Sequence, residues 1–151
     1  MIAHPIGIFD SGLGGLSVLR EVRRRLPNQA LLYLADHARL PYGARPPSQV
    51  RQFSEEITRF LLARRSKIIV VACNTASAAA LSHLRVKFPT TPFVGMEPAI
   101  KPAAFQSSAK VVGVLATEAT FQGNLFANVL REFAQGVTVL TRACPGWVDL
   151  V

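Results

Sequence analysis

The chain has 151 residues, 50% of them hydrophobic, so it is long enough to bury the core of one ordinary domain. That composition excludes an intrinsically disordered protein. Seventeen lysines and arginines against nine acidic residues give a net charge of +8, which permits an anionic partner without identifying one. Arg23 to Arg25 and Arg64 to Arg65 close two predicted helices, where cations favour the helix dipole, and no aromatic residues interleave with them. We therefore favour a solvated surface over a nucleic-acid patch.

The two cysteines, Cys73 and Cys144, lie too far apart for a disulfide framework and lack the spacing of metal ligands. A reducing cytoplasm and no bound metal are expected. The N-terminus lacks a basic region followed by a long apolar segment, and no apolar stretch has the length of a membrane span. We therefore predict a soluble cytoplasmic protein without membrane contact.

Short apolar runs alternate with longer segments of helical period along the whole chain. The predicted strands cover residues 6–9, 31–35, 68–72, 92–95, 111–115 and 137–141. The predicted helices cover residues 16–26, 48–64, 75–87 and 120–133, the second of them capped by Ser48. This alternation predicts an α/β fold with a parallel sheet flanked by helices on both faces. Prolines at 89, 92, 98 and 102 place a domain boundary near Glu97, giving domains 1–97 and 98–151.

A parallel sheet places ligands at the carboxyl ends of its strands, and the first strand ends in Asp10-Ser11-Gly12-Leu13-Gly14-Gly15. Glycines there allow a tight turn, and free amides at the following helix start favour an anion. Gly12 and Gly14, with Asp36 closing the second strand, also resemble a dinucleotide-binding fingerprint, although Ser17 occupies its third glycine position. A tight turn with Asp10 or Ser11 as the helix N-cap is the structural alternative.

The third strand delivers Cys73 to the same edge, where Asn74 and Thr75 begin a helix. Unpaired amides at a helix start favour a thiolate, which is both a base and a nucleophile. The alternative is a small residue in a buried run. Asp10, Tyr42 and Cys73 all follow strands and should face one crevice, which favours the functional interpretation.

The remaining loops offer weaker candidates. Pro41-Tyr42-Gly43 combines an aromatic hydroxyl with a glycine amide that suits a carboxylate, but Pro and Gly are also ordinary loop residues. Glu97 either bridges two domains or starts a helix, and Thr117 and Thr120 suit helix capping as well as ligand binding.

Four segments together resemble the aspartate/glutamate racemase family, most closely its glutamate racemases, in order and spacing. They are Gly7-Ile8-Phe9-Asp10-Ser11-Gly12-Leu13-Gly14-Gly15, Pro41-Tyr42-Gly43, Ala72-Cys73-Asn74-Thr75-Ala76 and Gly95-Met96-Glu97-Pro98-Ala99-Ile100-Lys101-Pro102-Ala103. The resemblance continues through Gly113–Thr117 to Ala143-Cys144-Pro145-Gly146, and so covers essentially the whole chain.

The resemblance implies interconversion of L- and D-glutamate by two thiols, without pyridoxal phosphate, another cofactor or metal, which supplies D-glutamate for peptidoglycan. It makes Cys73 one catalytic thiol and Asp10 the acidic residue that assists its proton transfers. It also implies residues that hold the substrate's carboxylates and amine, and we add Thr117 to them. These substrate-binding candidates are Asp10, Ser11, Tyr42, Gly43, Asn74, Thr75 and Thr117.

The sequence departs from the family in length. The family's second thiol lies in a Gly-Cys-Thr-His segment downstream of this chain, and Cys144, followed by Pro145 and Gly146, is not that residue. We therefore expect a chain truncated in its second domain, with little or no racemase turnover and a tendency to associate, as a homo-oligomer, through exposed apolar surface. The competing interpretations are a dinucleotide-binding module and a non-catalytic protein whose basic surface binds nucleic acid or DNA gyrase, a partner reported for some glutamate racemases.

Overall fold

The computed structural model describes residues 4–150, apart from the side chains of Val148 and Asp149. Strands and helices alternate along the chain as predicted. The strands are β1 Ile6–Asp10, β2 Leu31–Ala35, β3 Ile68–Val71, β4 Phe93–Val94, β5 Val111–Ala116 and β6 Thr138–Ala143. The helices are α1 Leu16–Arg25, α2 Pro47–Ala63, α3 Asn74–Lys87, α4 Ile100–Gln106, α5 Glu118–Phe121 and α6 Asn124–Phe133. Short 3-10 turns cover His37–Arg39, Tyr42–Ala44 and Trp147–Leu150.

The strands form two parallel sheets. The first sheet has the order β2-β1-β3-β4, and β5 pairs with β6 in the second. The predicted α/β class with parallel strands is therefore confirmed. Because β1 lies between β2 and β3, the residues that follow these three strands meet at one carboxyl edge.

Helices cover both faces of the first sheet, since successive side chains of a strand point to opposite sides. Ile8 of β1 packs with Val18 and Val22 of α1 on one face. Phe9 of β1 packs on the other face with side chains from α2 and α3, which together form the larger apolar core. Its members include Val50, Ile57, Leu61, Ala76, Ala80 and Leu84.

The second sheet is covered on one face. Ile100 of α4, with Phe126 and Val129 of α6, packs against Val114 of β5. On the opposite face, Leu115 and Leu140 remain 57% and 60% exposed. The boundary predicted near Glu97 falls in the extended segment that joins the two sheets, and the division into residues 1–97 and 98–151 stays a prediction.

Two local predictions were wrong. Ser48 does not cap α2, because the helix begins one residue earlier at Pro47, whose missing amide costs nothing in a first turn. The helix predicted over residues 120–133 is two helices separated by Gly123, which is extended at φ −77° and ψ 140°. A Cβ at Gly123 would lie 2.8 Å from that of Ala78, so the break between the two helices packs closely on α3 and requires glycine.

Helix α4 was not predicted, because the prolines at 98 and 102 indicated a domain boundary instead. Pro102 lies in its first turn, where the amide it lacks has no partner within the helix. No helix among the described residues combines the length and apolar character that a membrane span requires.

The buried hydroxyl of Thr58 on α2 has no hydrogen-bond partner within the described residues. An unpaired buried hydroxyl costs free energy, whereas an apolar group of similar shape does not. We expect Thr58→Val to raise the free energy of unfolding by about 1 kcal/mol, measured by urea denaturation. The matched control is Ser77→Ala on α3, because the Ser77 hydroxyl donates to the Val71 carbonyl and accepts from the Met96 amide. That substitution should destabilise the protein, and equal effects of both would contradict the prediction.

The Glu55 carboxylate joins α2 to α3. It lies 2.6 Å from His83 Nε2, 3.3 Å from Lys87 Nζ and 3.7 Å from an Arg59 nitrogen. The hydrogen bond with His83 lowers the pKa of Glu55, and Lys87 adds to this effect. A lowered carboxyl pKa stabilises the fold above the unfolded-state value, and that contribution is lost as the pH falls through the folded-state pKa.

We therefore expect the free energy of unfolding to fall more steeply between about pH 5 and pH 3 in the wild type than in Glu55→Gln. Chemical denaturation at a series of pH values measures this slope. Glu21→Gln, which removes an exposed ion pair with Arg24 on α1, is the control and should keep the wild-type slope. Parallel profiles for the wild type and Glu55→Gln would contradict the assignment.

Candidate active site

A cavity of about 780 Å³ opens at the carboxyl edge of the strands. Its wall combines polar residues that follow β1, β3 and β5 with apolar side chains from the surrounding loops. The polar residues include Asp10, Ser11, Cys73, Asn74, Thr75, Thr117 and Thr120. The apolar ones include Leu13, Leu40, Met96, Leu115, Trp147 and Leu150. The structure thus brings together six of the eight residues predicted from the sequence.

Asp10 ends β1 and is buried at the cavity wall. One carboxylate oxygen accepts the Ser11 amide at 2.8 Å, and the other accepts the Gly15 amide at 2.8 Å. The predicted N-cap role of Asp10 or Ser11 is wrong, because Gly15 is the N-cap of α1. The Asp10 carboxylate instead accepts a hydrogen bond from the Gly15 amide, which is a donor that a bound pyrophosphate would use. This disfavours the dinucleotide interpretation.

Tyr33 on β2 contacts the turn that follows Asp10. Its hydroxyl donates to the Gly12 carbonyl at 3.0 Å, and a Cβ added at Gly15 would lie 3.0 Å from that hydroxyl. Burial, with Asp10 and Cys73 nearby, raises the pKa of Tyr33 to about 12. The hydroxyl therefore remains a donor at neutral pH, and it fixes the turn that carries Asp10.

Cys73 follows β3 and is the N-cap of α3, as its position in the sequence indicated. Its sulfur accepts the Ala76 amide at 3.4 Å and lies 3.5 Å from Ser11 Oγ. The residue is 7% exposed, so the sulfur is largely desolvated although it forms part of the cavity wall.

The start of α3 was expected to favour a thiolate at Cys73, but burial and a nearby negative charge outweigh that effect. Burial raises the pKa of the Cys73 thiol, and the negative charge of Asp10 raises it further. Hydrogen bonds from Ser11 and from the Ala76 amide act in the opposite direction but do not reverse the shift. The net direction therefore favours the neutral thiol of Cys73, opposite to the effect expected from its position at the helix start.

Three threonine hydroxyls form a chain along one side of the cavity. Thr75 Oγ1 lies 3.0 Å from Thr117 Oγ1, which lies 3.0 Å from Thr120 Oγ1. Thr117 is the N-cap of α5, but its hydroxyl makes no capping bond and serves this chain instead. Thr120 was weighed in the sequence together with Thr117, but only Thr117 was kept among the predicted substrate-binding residues.

Tyr42 and Gly43 do not line the cavity as the structure describes it. Tyr42 is 1% exposed, and its hydroxyl donates to Asp36 at 2.6 Å. Burial, followed by this hydrogen bond, raises the pKa of Tyr42. Gly43 packs closely against Thr117 of the threonine chain, since a Cβ at Gly43 would be 2.9 Å from Thr117 Cγ2. Their assignment as substrate-binding residues stays a prediction, and the Asp36 carboxylate, bonded to Tyr42, is poorly placed for a ribose.

Cys144 follows β6 and is half-buried. Its sulfur lies 3.7 Å from the Arg142 carbonyl and is not on the wall of the cavity that the described residues form. Among those residues, no group of three or more His, Cys, Asp or Glu side chains is placed to hold a metal ion.

The sequence model of the Asp/Glu/Hydantoin racemase family matches residues 9–151. The chain belongs to this family. It is 56% identical over 149 residues to the glutamate racemase of Roseiflexus sp. strain RS-1, a match that covers 99% of this chain and 55% of the relative. It is 52% identical to that of Methylococcus capsulatus, covering 98% of this chain and 54% of the relative. The resemblance found in the sequence motifs is therefore confirmed.

Solved racemase structures share the fold. The Escherichia coli glutamate racemase in complex with L-glutamate and the activator UDP-MurNAc-ala matches with a TM-score of 0.87 at 36% identity, over 97% of this chain and 56% of that one. The Thermus thermophilus enzyme in complex with β-chloro-D-alanine matches with a TM-score of 0.79 at 44% identity, over 97% of this chain and 54% of that one. The chain thus spans about half the length of the racemases it matches.

Gly15 offers a test of the turn that holds Asp10. A Cβ at this position would lie 2.8 Å from Asp10 Cβ and 3.1 Å from Ala72 Cβ. We expect Gly15→Ala to lower the free energy of unfolding by about 1–3 kcal/mol, because packed atoms must shift. Gly113→Ala is the matched control, since a Cβ there meets nothing within 4 Å. Urea denaturation compares the two variants, and a Gly15→Ala variant as stable as Gly113→Ala would contradict this packing.

Proposed function

We propose that this chain forms one half of a glutamate racemase site, in which Cys73 exchanges the α-proton of bound glutamate. The observation that carries the proposal is the Cys73 sulfur on the cavity wall, beside Ser11 and the fixed carboxylate of Asp10. The relatives named as glutamate racemases, and the E. coli structure in complex with L-glutamate, support the choice of substrate.

The raised pKa of Cys73 suits this chemistry. An α-proton beside a carboxylate is very weakly acidic, so a strong base is needed to remove it, and a thiol of higher pKa gives a more basic thiolate. The ammonium group of an entering amino acid brings positive charge next to the sulfur and favours its ionisation. The thiolate then forms mainly when substrate is bound, because burial and the Asp10 charge otherwise disfavour it.

The polar wall supplies donors for two carboxylates. Asn74 is exposed at the start of α3, and the hydroxyls of Thr75, Thr117 and Thr120 lie together on one side of the cavity. Hydroxyl and amide donors that are already held in place offset charge that develops on the substrate as the proton leaves. Gly43 contributes through its close contact with the Thr117 side chain.

Inversion requires a second acid on the opposite face of the α-carbon. Cys144 does not line the cavity that the described residues form, so Cys73 is the thiol available there. A single thiol takes a proton and returns one to the same face, so we propose that this chain exchanges the α-proton with retention of configuration. Supply of D-glutamate for peptidoglycan, a cytoplasmic site of action, self-association and contact with DNA gyrase stay predictions from the resemblance.

Deuterium exchange tests the proposal. The purified chain is incubated with L-glutamate or D-glutamate in D₂O, loss of the α-proton signal is followed by NMR, and configuration is measured by chiral chromatography. We expect slow exchange of one enantiomer without inversion, abolished in Cys73→Ser and retained in Cys144→Ser.

Exchange that survives Cys73→Ser would contradict the role of this thiol. Rapid racemisation by the chain would contradict the single-face mechanism. Absence of both exchange and glutamate binding would contradict the choice of substrate.

A further inference from the structure

The Ser11 hydroxyl lies between the two ionisable groups of the site. Its oxygen is 3.5 Å from Cys73 Sγ and 3.5 Å from Asp10 Oδ1. Ser11 is half-buried at the cavity wall, whereas Asp10 and Cys73 are buried. A hydroxyl both donates and accepts, so it can bond to a thiol, to a thiolate and to a carboxylate.

The other contacts of this cluster are fixed. Asp10 keeps one backbone amide on each carboxylate oxygen, from Ser11 and from Gly15, whichever way the Ser11 hydroxyl points. The Ala76 amide can only donate to the sulfur. The Ser11 hydroxyl, unlike the backbone amides, is therefore free to reorient its hydrogen when Cys73 changes its charge.

We propose that Ser11 is a positioning residue whose hydroxyl rotates with the protonation of Cys73. In the thiol form, the Cys73 S–H donates to Ser11 Oγ, and the Ser11 O–H donates to Asp10 Oδ1. In the thiolate form, the Ser11 O–H donates to the sulfur, and Asp10 keeps its two amide partners. Ser11 keeps its own hydrogen throughout, so no covalent bond of the serine breaks, and the proton of Cys73 is exchanged with substrate or water.

This arrangement makes thiolate formation easier than the surroundings alone would allow. Burial and the Asp10 charge both disfavour a thiolate. Among the described contacts of the sulfur, Ser11 is the only side chain that opposes these two effects. A hydrogen bond to a charged acceptor is stronger than one to a neutral acceptor, so the rotated hydroxyl favours the thiolate over the thiol. The inference rests on the proposed function, because Cys73 is the thiol which that function uses, and it gives Ser11 a role other than substrate binding.

The test measures the ionisation of Cys73 without substrate. In the Cys144→Ser background, the rate of alkylation by iodoacetamide is measured from pH 6 to 11, with the Cys73 peptide quantified by mass spectrometry. We expect Ser11→Ala to move the midpoint up by about one pH unit. Below both midpoints its alkylation should be about tenfold slower, while the plateau at high pH stays unchanged.

Two further variants separate hydrogen bonding from packing. Ser11→Thr keeps a hydroxyl and should restore the midpoint, and Asp10→Asn removes a negative charge and should move the midpoint down. Thermal unfolding verifies that each variant is folded. An unchanged midpoint in Ser11→Ala would overturn the proposal, and so would an equal upward shift in the Ala and Thr variants, because the shift would then come from packing.

This experiment contains no glutamate, so its outcome is independent of the proposed function. If the midpoints move as expected and deuterium exchange is absent, the Ser11 role stands and the assignment of substrate fails. If exchange depends on Cys73 but the Ser11→Ala midpoint is unchanged, the proposed function stands and the Ser11 role fails.

Discussion

The site depends on one constraint: a carboxylate and a sulfur are held side by side with little access to water. Both sit at the ends of neighbouring strands, β1 and β3, and two backbone amides fix Asp10 there. Charge on the sulfur is then disfavoured by desolvation and by its neighbour at once. Both effects favour a proton on Cys73 over the thiolate.

Much of the first sheet could be predicted from sequence because its signals are local. The buried β-branched run of residues 68–71 ends at Cys73, and strand ends in a parallel sheet meet at one edge whatever the loops do. Asp10, Ser11, Asn74 and Thr75 therefore fell on the cavity wall as expected. The direction of the Cys73 pKa could not be predicted in the same way, because a helix start is visible in sequence whereas burial and the distance to Asp10 are not.

Two differences between the sequence predictions and the structure involve long-range contacts. Apolar periodicity over residues 120–133 suits a continuous helix, but the backbone is extended at Gly123, which packs closely on Ala78, 45 positions away in sequence. Tyr42 was placed on the site because its loop follows a strand. The structure gives its ring a place in the core and its hydroxyl a buried partner in Asp36, and no local pattern distinguishes these two fates.

The same long-range contacts connect the two sheets at the site. The Thr75 hydroxyl belongs to helix α3, which packs on the first sheet, while Thr117 and Thr120 follow β5. The hydrogen bond between Thr75 and Thr117 therefore joins the two parts of the chain. Gly43, which follows β2 of the first sheet, packs against Thr117, and Gly123, which follows β5 of the second sheet, packs on α3. A dicarboxylate that bound these hydroxyls would touch both units at once. Glycine at 43 and at 123 permits this close approach, because a Cβ at Gly43 would meet Thr117 and a Cβ at Gly123 would meet Ala78.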